Sequence, residues 1–128
     1  MKCGDAFLFP LDDSHSEHLW IVLTNPNADG EILIVSITTV YAHDKDKADM
    51  TMLLHKGEHR FITRDSYIYY REAMIKKASD LEAEEKTGTL KMHDSCTPEV
   101  LSLVRGGISA SKHCAKVIRG FYSDHKHL

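Results

Sequence analysis

The sequence has little of what usually identifies a chain at once. It carries only three cysteines, Cys3, Cys96 and Cys114, and none sits in a CxxC spacing. An odd number cannot all pair within one chain, so no disulfide framework is expected and the thiols point to a reducing compartment. There is no excess of positive charge: the formal net charge is −3 with nine histidines counted as neutral. The strong basic footprint of many nucleic-acid binders is therefore missing, and any contact with RNA has to come from a local patch. Long apolar runs are missing too. None approaches the ~20 residues that span a bilayer, and the apolar opening "AFLF" is preceded by Asp5, interrupted by Pro10 and followed by Asp12 and Asp13, unlike a targeting segment. A soluble, cytoplasmic protein with no membrane attachment is expected. The chain also lacks a glycine-rich loop of Walker or Rossmann type and a GxSxG elbow, which disfavours nucleotide-dependent chemistry.

What is present reads as one domain over 1–128, long enough to bury a core. "DAFLFPL" (Asp5–Leu11), "HLWIVLT" (His18–Thr24) and "EILIVSITTVY" (Glu31–Tyr41) are β-prone runs. The second is so continuously apolar that burial on both faces is expected, and "NPNADGE" between the second and third is turn chemistry. Three strands joined this way make an antiparallel sheet. "AHDKDKAD" is charged and aperiodic and reads as a surface loop. "MTMLL" and "SYIYYREAMI" return to strand character, with a turn at Gly57 between them. The sheet is expected to hold about five or six strands, enough to curl into a small barrel.

The second half changes character. "KKASDLEAEEKTGTL" suggests a short helical turn followed by a surface segment. A closing helix is expected over about 97–122, with Thr97 as N-cap, Pro98 in the first helical position and Glu99 favourable to the dipole. Val100, Leu101, Val104, Ile108, Val117, Ile118 and Phe121 fall mainly on one side, which should dock on the sheet. Cys114 on that side reads as a small buried hydrophobe. Gly106 and Gly107 each weaken the helix by up to about 1 kcal/mol relative to alanine, so a bend is expected there, and 123–128 reads as a frayed tail.

Three groups of residues have chemistry to offer. His15, Glu17 and His18 crowd the loop "DDSHSEH" before the second strand, and a histidine pair with a carboxylate suits proton transfer near neutral pH. A solvated polar hairpin loop is the plainer alternative. Thr38 and Thr39 end the third strand, where they either satisfy local backbone groups or hold a phosphate oxygen. Arg60, Arg64 and Arg71 interleave with Tyr67 and Tyr69, a pattern that grips a single strand by phosphate and base, or that simply packs an aromatic face inward with arginines in solvent. His55 and His59 would share a face only on a helix, which Gly57 argues against. No metal site and no cofactor are expected.

Read in order, these pieces resemble the MazF/PemK/Kid family of toxins from toxin–antitoxin pairs. "CGDAFLF" matches the Gly-Asp entry to the family's first strand, "HLWIVLT" its second, and "VSITTV" the Thr-bearing end of its third. "MTMLLHKG", "SYIYYREAMIKKASDL", "KTGTL" and "TPEVLSLV" follow in the family's order, so the similarity covers about Lys2 to Ile108. The resemblance implies a mainly β fold with helices, a small SH3-like antiparallel barrel with a C-terminal helix. It also implies a homodimer, a protein antitoxin as partner, and metal-independent cleavage of single-stranded RNA by attack of the ribose 2′-hydroxyl on the adjacent phosphate. The family's catalytic threonine carries over to Thr38, with Thr39 beside it. Its catalytic arginine does not: the Arg-Pro that opens the family's second strand is His18-Leu19 here. On this reading His18 and His15 become the acid–base pair, Glu17 orients them, and Arg60, Arg64 and Arg71 with Tyr67 and Tyr69 contact RNA. The alternative is a catalytically inactive MazF/CcdB-like module that binds an antitoxin, another partner protein or RNA.

Overall fold

The computed structural model describes residues 1–10, 17–41 and 48–128. Three consecutive strands, β1 (Ala6–Phe9), β2 (His18–Val22) and β3 (Glu31–Thr39), form an antiparallel meander. Ala6 lies opposite Ile21, and Leu19 opposite Ile37. The turn between β2 and β3 is built by Asn27, whose side-chain oxygen accepts from the amides of Asp29 and Glu31 at 3.0 and 2.9 Å. That local bonding is why Asn favours such turns.

The apolar run in β2 is explained by two cores, one on each side of the sheet. Leu19 and Ile21, with Leu33, Val35 and Ile37 of β3, enter a core completed by Val100, Val104, Ile108 and Ile118. The alternate residues Trp20, Val22, Ile32 and Ile34 join Phe7, Ala78, Leu81 and Leu90 in the other. Alternation in a strand separates polar from apolar only when one face meets water; here both are covered, so every position from Leu19 to Val22 is buried.

Beyond β3 come β4 (Leu53–Leu54), β5 (Ser66–Ile68) and β6 (Met74–Lys77), with a 3₁₀ turn at Tyr70–Glu72. The run "SYIYYREAMI", expected as a single strand, is therefore two. β5 pairs with the end of β3, Thr38 opposite Tyr67, and β6 pairs with its beginning, Ile34 opposite Met74. The amide of Tyr69 bridges the interval by donating to the Ser36 carbonyl at 2.9 Å. Helix α1 (Ala78–Lys86) follows at once and ends on Gly88, whose φ of 84° closes the last turn as only glycine does cheaply. "KTGTL", expected as a surface segment, leads into a further strand, β7 (Lys91–His93), paired with β1. The sheet thus has seven strands, ordered β4-β5-β3-β2-β1-β7 with β6 also on β3. It is mainly antiparallel, as expected, but open: among the described residues no ladder joins β4 to β7.

The expected single helix over 97–122 is two, α2 (Pro98–Ala110) and α3 (Lys116–His125). Thr97 caps α2 as expected, its hydroxyl accepting from the Val100 amide at 3.2 Å. The break falls at 111–115 and not at the glycine pair. Ser111 turns out of the helix, its hydroxyl donating to Asp49 at 2.6 Å and accepting from the His113 amide at 3.1 Å. Cys114 is buried as expected, but in this connection and not on a helix. The expected frayed tail is helical to His125, and its end is held where Asn25 donates to the Leu128 carbonyl at 2.6 Å. Gly107 serves close approach. The fully buried Tyr70 lies against it and donates to the Val104 carbonyl at 2.7 Å, and a Cβ on Gly107 would overlap the Tyr70 phenol. Among the described residues no helix is long and apolar enough to cross a membrane.

Two predictions follow from this packing. Gly107→Ala is expected to cost about 1–3 kcal/mol by overpacking, whereas Gly106→Ala, which meets open space, should stabilise by up to about 1 kcal/mol; urea denaturation of both variants checks the contrast. The second concerns acid. Burial by itself raises the Asp49 pKa, but the hydrogen bonds from Ser111 and Thr51, with His113 nearby, outweigh it and hold the carboxyl below its ordinary value of 3.8. A depressed folded-state pKa gives stability that is present above the unfolded value and lost as pH falls through the folded one. Asp49→Asn should therefore cost about 1.5–3 kcal/mol at pH 7, the range for a hydrogen bond to a charged group, and the difference should begin to shrink only as pH falls below about 4.

Candidate functional site

Successive residues of a strand point to opposite faces, so Thr38 and Thr39 at the end of β3 open onto different surfaces. A separate cleft lies on each.

The first is an open cleft of about 390 Å³, lined by His18, Trp20, Ser36, Thr38, Tyr69, Glu72 and Met74. Continuing the β2–β3 register by one residue sets His18 across from Thr38. Trp20 lies deeper on the same face, its indole N–H donating to the Phe9 carbonyl at 3.1 Å. Tyr69 stands at the end of β5 beside Tyr67, ring centroids 5.8 Å apart. Glu72 enters because the 3₁₀ turn redirects the chain. Among the described residues, the side chains of His18, Thr38, Tyr69 and Glu72 have no hydrogen-bond partner, so a ligand would not have to displace one. The lining holds one imidazole, one carboxylate and three hydroxyls, and neither arginine nor lysine. It can move protons and donate hydrogen bonds, but it carries no fixed positive charge.

The second cleft, about 470 Å³, is lined by Ile37, Thr39, Arg60, Phe61, Ile62, Thr63, Arg64, Ser66 and His93. Its charge is of the opposite kind, two guanidinium groups and no carboxylate. Arg60 also meets Asp94, Nε to Oδ2 at 3.1 Å, a solvent-exposed pair that contributes at most about 1 kcal/mol. His59 fixes this wall. Its Nδ1 accepts from the Phe61 amide at 3.0 Å and its Nε2 donates to the Asp94 carbonyl at 2.7 Å, tying the connection between β4 and β5 to the end of β7. The ring is buried and fully satisfied in one neutral tautomer.

The residues singled out in the sequence are therefore divided. His18, Thr38 and Tyr69 meet in the first cleft; Thr39, Arg60 and Arg64 meet in the second. Three belong to neither. Glu17 pairs with Lys91 at 3.5 Å, so it does not orient His18. Arg71 donates to His113 Nδ1 at 3.0 Å, beside the connection between α2 and α3. Tyr67 is buried and supports Tyr69. His15 lies outside the described residues. Glu72, Trp20 and Ser36 were missed in the first cleft, Phe61 and His93 in the second. A signal for Glu72 existed: in one continuous strand it would share the face of Ile68 and Tyr70, and a glutamate on a core face argues for a break in register.

Among the described residues, no group of three or more His, Cys, Asp or Glu side chains is placed to hold a metal ion. The thiols are held protonated: burial raises Cys3 and Cys114, and pushes Cys96 up to about 11. None has the character of a nucleophile at neutral pH.

Because the buried His59 makes both of its bonds to backbone groups, His59→Ala is expected to lower stability by about 1–3 kcal/mol, two hydrogen bonds at about 0.5–1.5 kcal/mol each, as read from chemical denaturation. No protein-family model matches this sequence, and no curated protein matches it.

Proposed function

We propose that the protein is a toxin-like endoribonuclease of MazF/PemK type that cleaves single-stranded RNA without a metal. The observation that carries this reading is the meeting of His18 and Glu72, an imidazole and a carboxylate, in one open cleft with the hydroxyls of Thr38 and Tyr69. The reaction needs a base, an acid and donors to the crowded phosphate. Glu72 takes the proton of the ribose 2′-hydroxyl, and the freed oxygen attacks the adjacent phosphorus. His18 gives its proton to the departing 5′-oxygen, as the P–O bond to it breaks. The products are a 2′,3′-cyclic phosphate and a 5′-hydroxyl. Thr38 and Tyr69 donate to the non-bridging oxygens, and Tyr69 offers its ring to a base. In this reading the open sheet is an SH3-like barrel whose seam is crossed by side chains, chiefly His59 on Asp94. A protein antitoxin, a homodimer and a cytoplasmic location belong to the same proposal.

One observation favours a second reading. The first cleft has no cation where the family resemblance has its arginine, as expected of a module that binds an antitoxin, another protein or RNA without cutting.

The test is incubation of the purified protein with single-stranded RNA in excess EDTA, with analysis of product ends. Discrete fragments bearing 2′,3′-cyclic phosphate are expected, and Glu72→Gln and His18→Ala should each slow their formation by about 10²–10⁴-fold, the usual contribution of a general acid or base. RNA that stays intact transfers the assignment to the binding module. Cleavage that survives in both variants removes this cleft from the chemistry.

A further inference from the structure

The second cleft has a composition that the reaction does not account for. It gathers the guanidinium groups of Arg60 and Arg64 with the hydroxyl of Thr39, and no carboxylate lines it; Arg60 reaches it from its exposed pair with Asp94, and the Ser66 hydroxyl is spent on the Arg64 carbonyl. Arg64 has no ion-pair or hydrogen-bond partner for its guanidinium among the described residues, and it is exposed. His93 adds a donor: its Nδ1 accepts from the Asp94 amide at 2.8 Å, which leaves the ring proton on Nε2. At the mouth stands Phe61, 39% exposed, set edge-on to His93 with centroids 5.8 Å apart. Beside two arginines this ring forms the pairing of stacking platform and phosphate clamp that single strands are held by.

We infer that this second cleft is a phosphate-and-base subsite for the same single-stranded RNA, one that holds the strand on the far side of β3 from the reacting phosphate. The inference rests on the RNA reading above and adds to it where the missing cation is supplied. Thr38 and Thr39 are consecutive, with Cα atoms about 3.8 Å apart, so a strand crossing the end of β3 passes from the acid–base cleft to the cationic one within the width of the sheet. Arg64 and Arg60 clamp a phosphodiester, Thr39 donates to its oxygens, and Phe61 stacks on the neighbouring base. Positive charge is thus kept out of the reacting cleft, and affinity is separated from proton transfer.

Fluorescence anisotropy of a labelled single-stranded oligoribonucleotide tests this. It is measured over a range of salt in the His18→Ala background so that turnover does not interfere. Neutralising one phosphate contact on a single strand changes the slope of log K against log salt by about 0.7. Adding Arg64→Gln or Arg60→Gln is expected to reduce the slope by that amount each. Arg71→Gln removes an equal charge outside both clefts and should leave the slope unchanged, while Phe61→Ala should weaken binding several-fold without altering it. All three arginines are exposed, so loss of folding is not a competing explanation. Equal effects from Arg64→Gln and Arg71→Gln, or none from Arg64→Gln, overturn the subsite. If the parent protein cleaves RNA while Arg64→Gln leaves the slope intact, the subsite fails and the reaction stands. If RNA stays whole but the slope falls with Arg64→Gln, the reaction fails and the subsite stands. A protein that binds no oligoribonucleotide even at low salt refutes both.

Discussion

The structure turns on Tyr70. Its side chain is fully buried, its hydroxyl donates to the Val104 carbonyl inside α2, and its ring lies where a Cβ on residue 107 would stand. A tyrosine buried this deeply needs a partner for its hydroxyl, and the helix backbone provides one only because Gly107 lets the ring come close. Fixing Tyr70 into the helix pulls the chain out of extended conformation, and the 3₁₀ turn at Tyr70–Glu72 results. Because of that turn, β5 and β6 divide one long edge of β3 between them. Glu72 thus lines the same cleft as His18. Packing on one face of the sheet thereby sets the chemistry available on the other.

The same sheet separates two kinds of charge. The cleft that opens beside Thr38 holds an imidazole and a carboxylate but no guanidinium, and the cleft beside Thr39 holds two guanidinium groups and an imidazole but no carboxylate. A guanidinium close to a general acid would disfavour the protonated imidazole. On the proposed reading, placing the two groups on opposite faces avoids that conflict while keeping both at one end of β3. His59 maintains the second face without taking part in it, since both ring nitrogens are committed to backbone groups.

Much of the fold could be read from the residues. The Asn-Pro-Asn turn, the doubly buried run from Leu19 to Val22, and the Thr97-Pro98-Glu99 start of α2 all depend on local chemistry, and local chemistry is what a sequence displays. The helix break at Ser111 was not legible, because it depends on Asp49, 62 positions away along the chain. Gly106 and Gly107 were misleading for a related reason: one faces open space and the other a tyrosine, and propensity alone does not distinguish them. β7 was missed because Lys91–His93 is too short to show alternation and takes its identity from pairing with β1. Of the site, His18, Thr38 and Tyr69 were legible, as were Thr39, Arg60 and Arg64 as a set. That the two sets face apart follows from strand alternation, while Glu17 and Arg71 were drawn away by Lys91 and His113, partners remote in sequence.

The sheet ends in very short strands, two residues at β4 and three at β7; β6, the other strand with one unpaired side among the described residues, has four. An extended segment laid along any of these would find only a few backbone groups to pair with, too few for strand addition to hold a partner firmly. The molecule is thereby protected from stacking edge to edge into aggregates. Among the described residues, the surface left for lasting association with a second protein is side chains on the faces of the domain, where a single substitution can tune or abolish it.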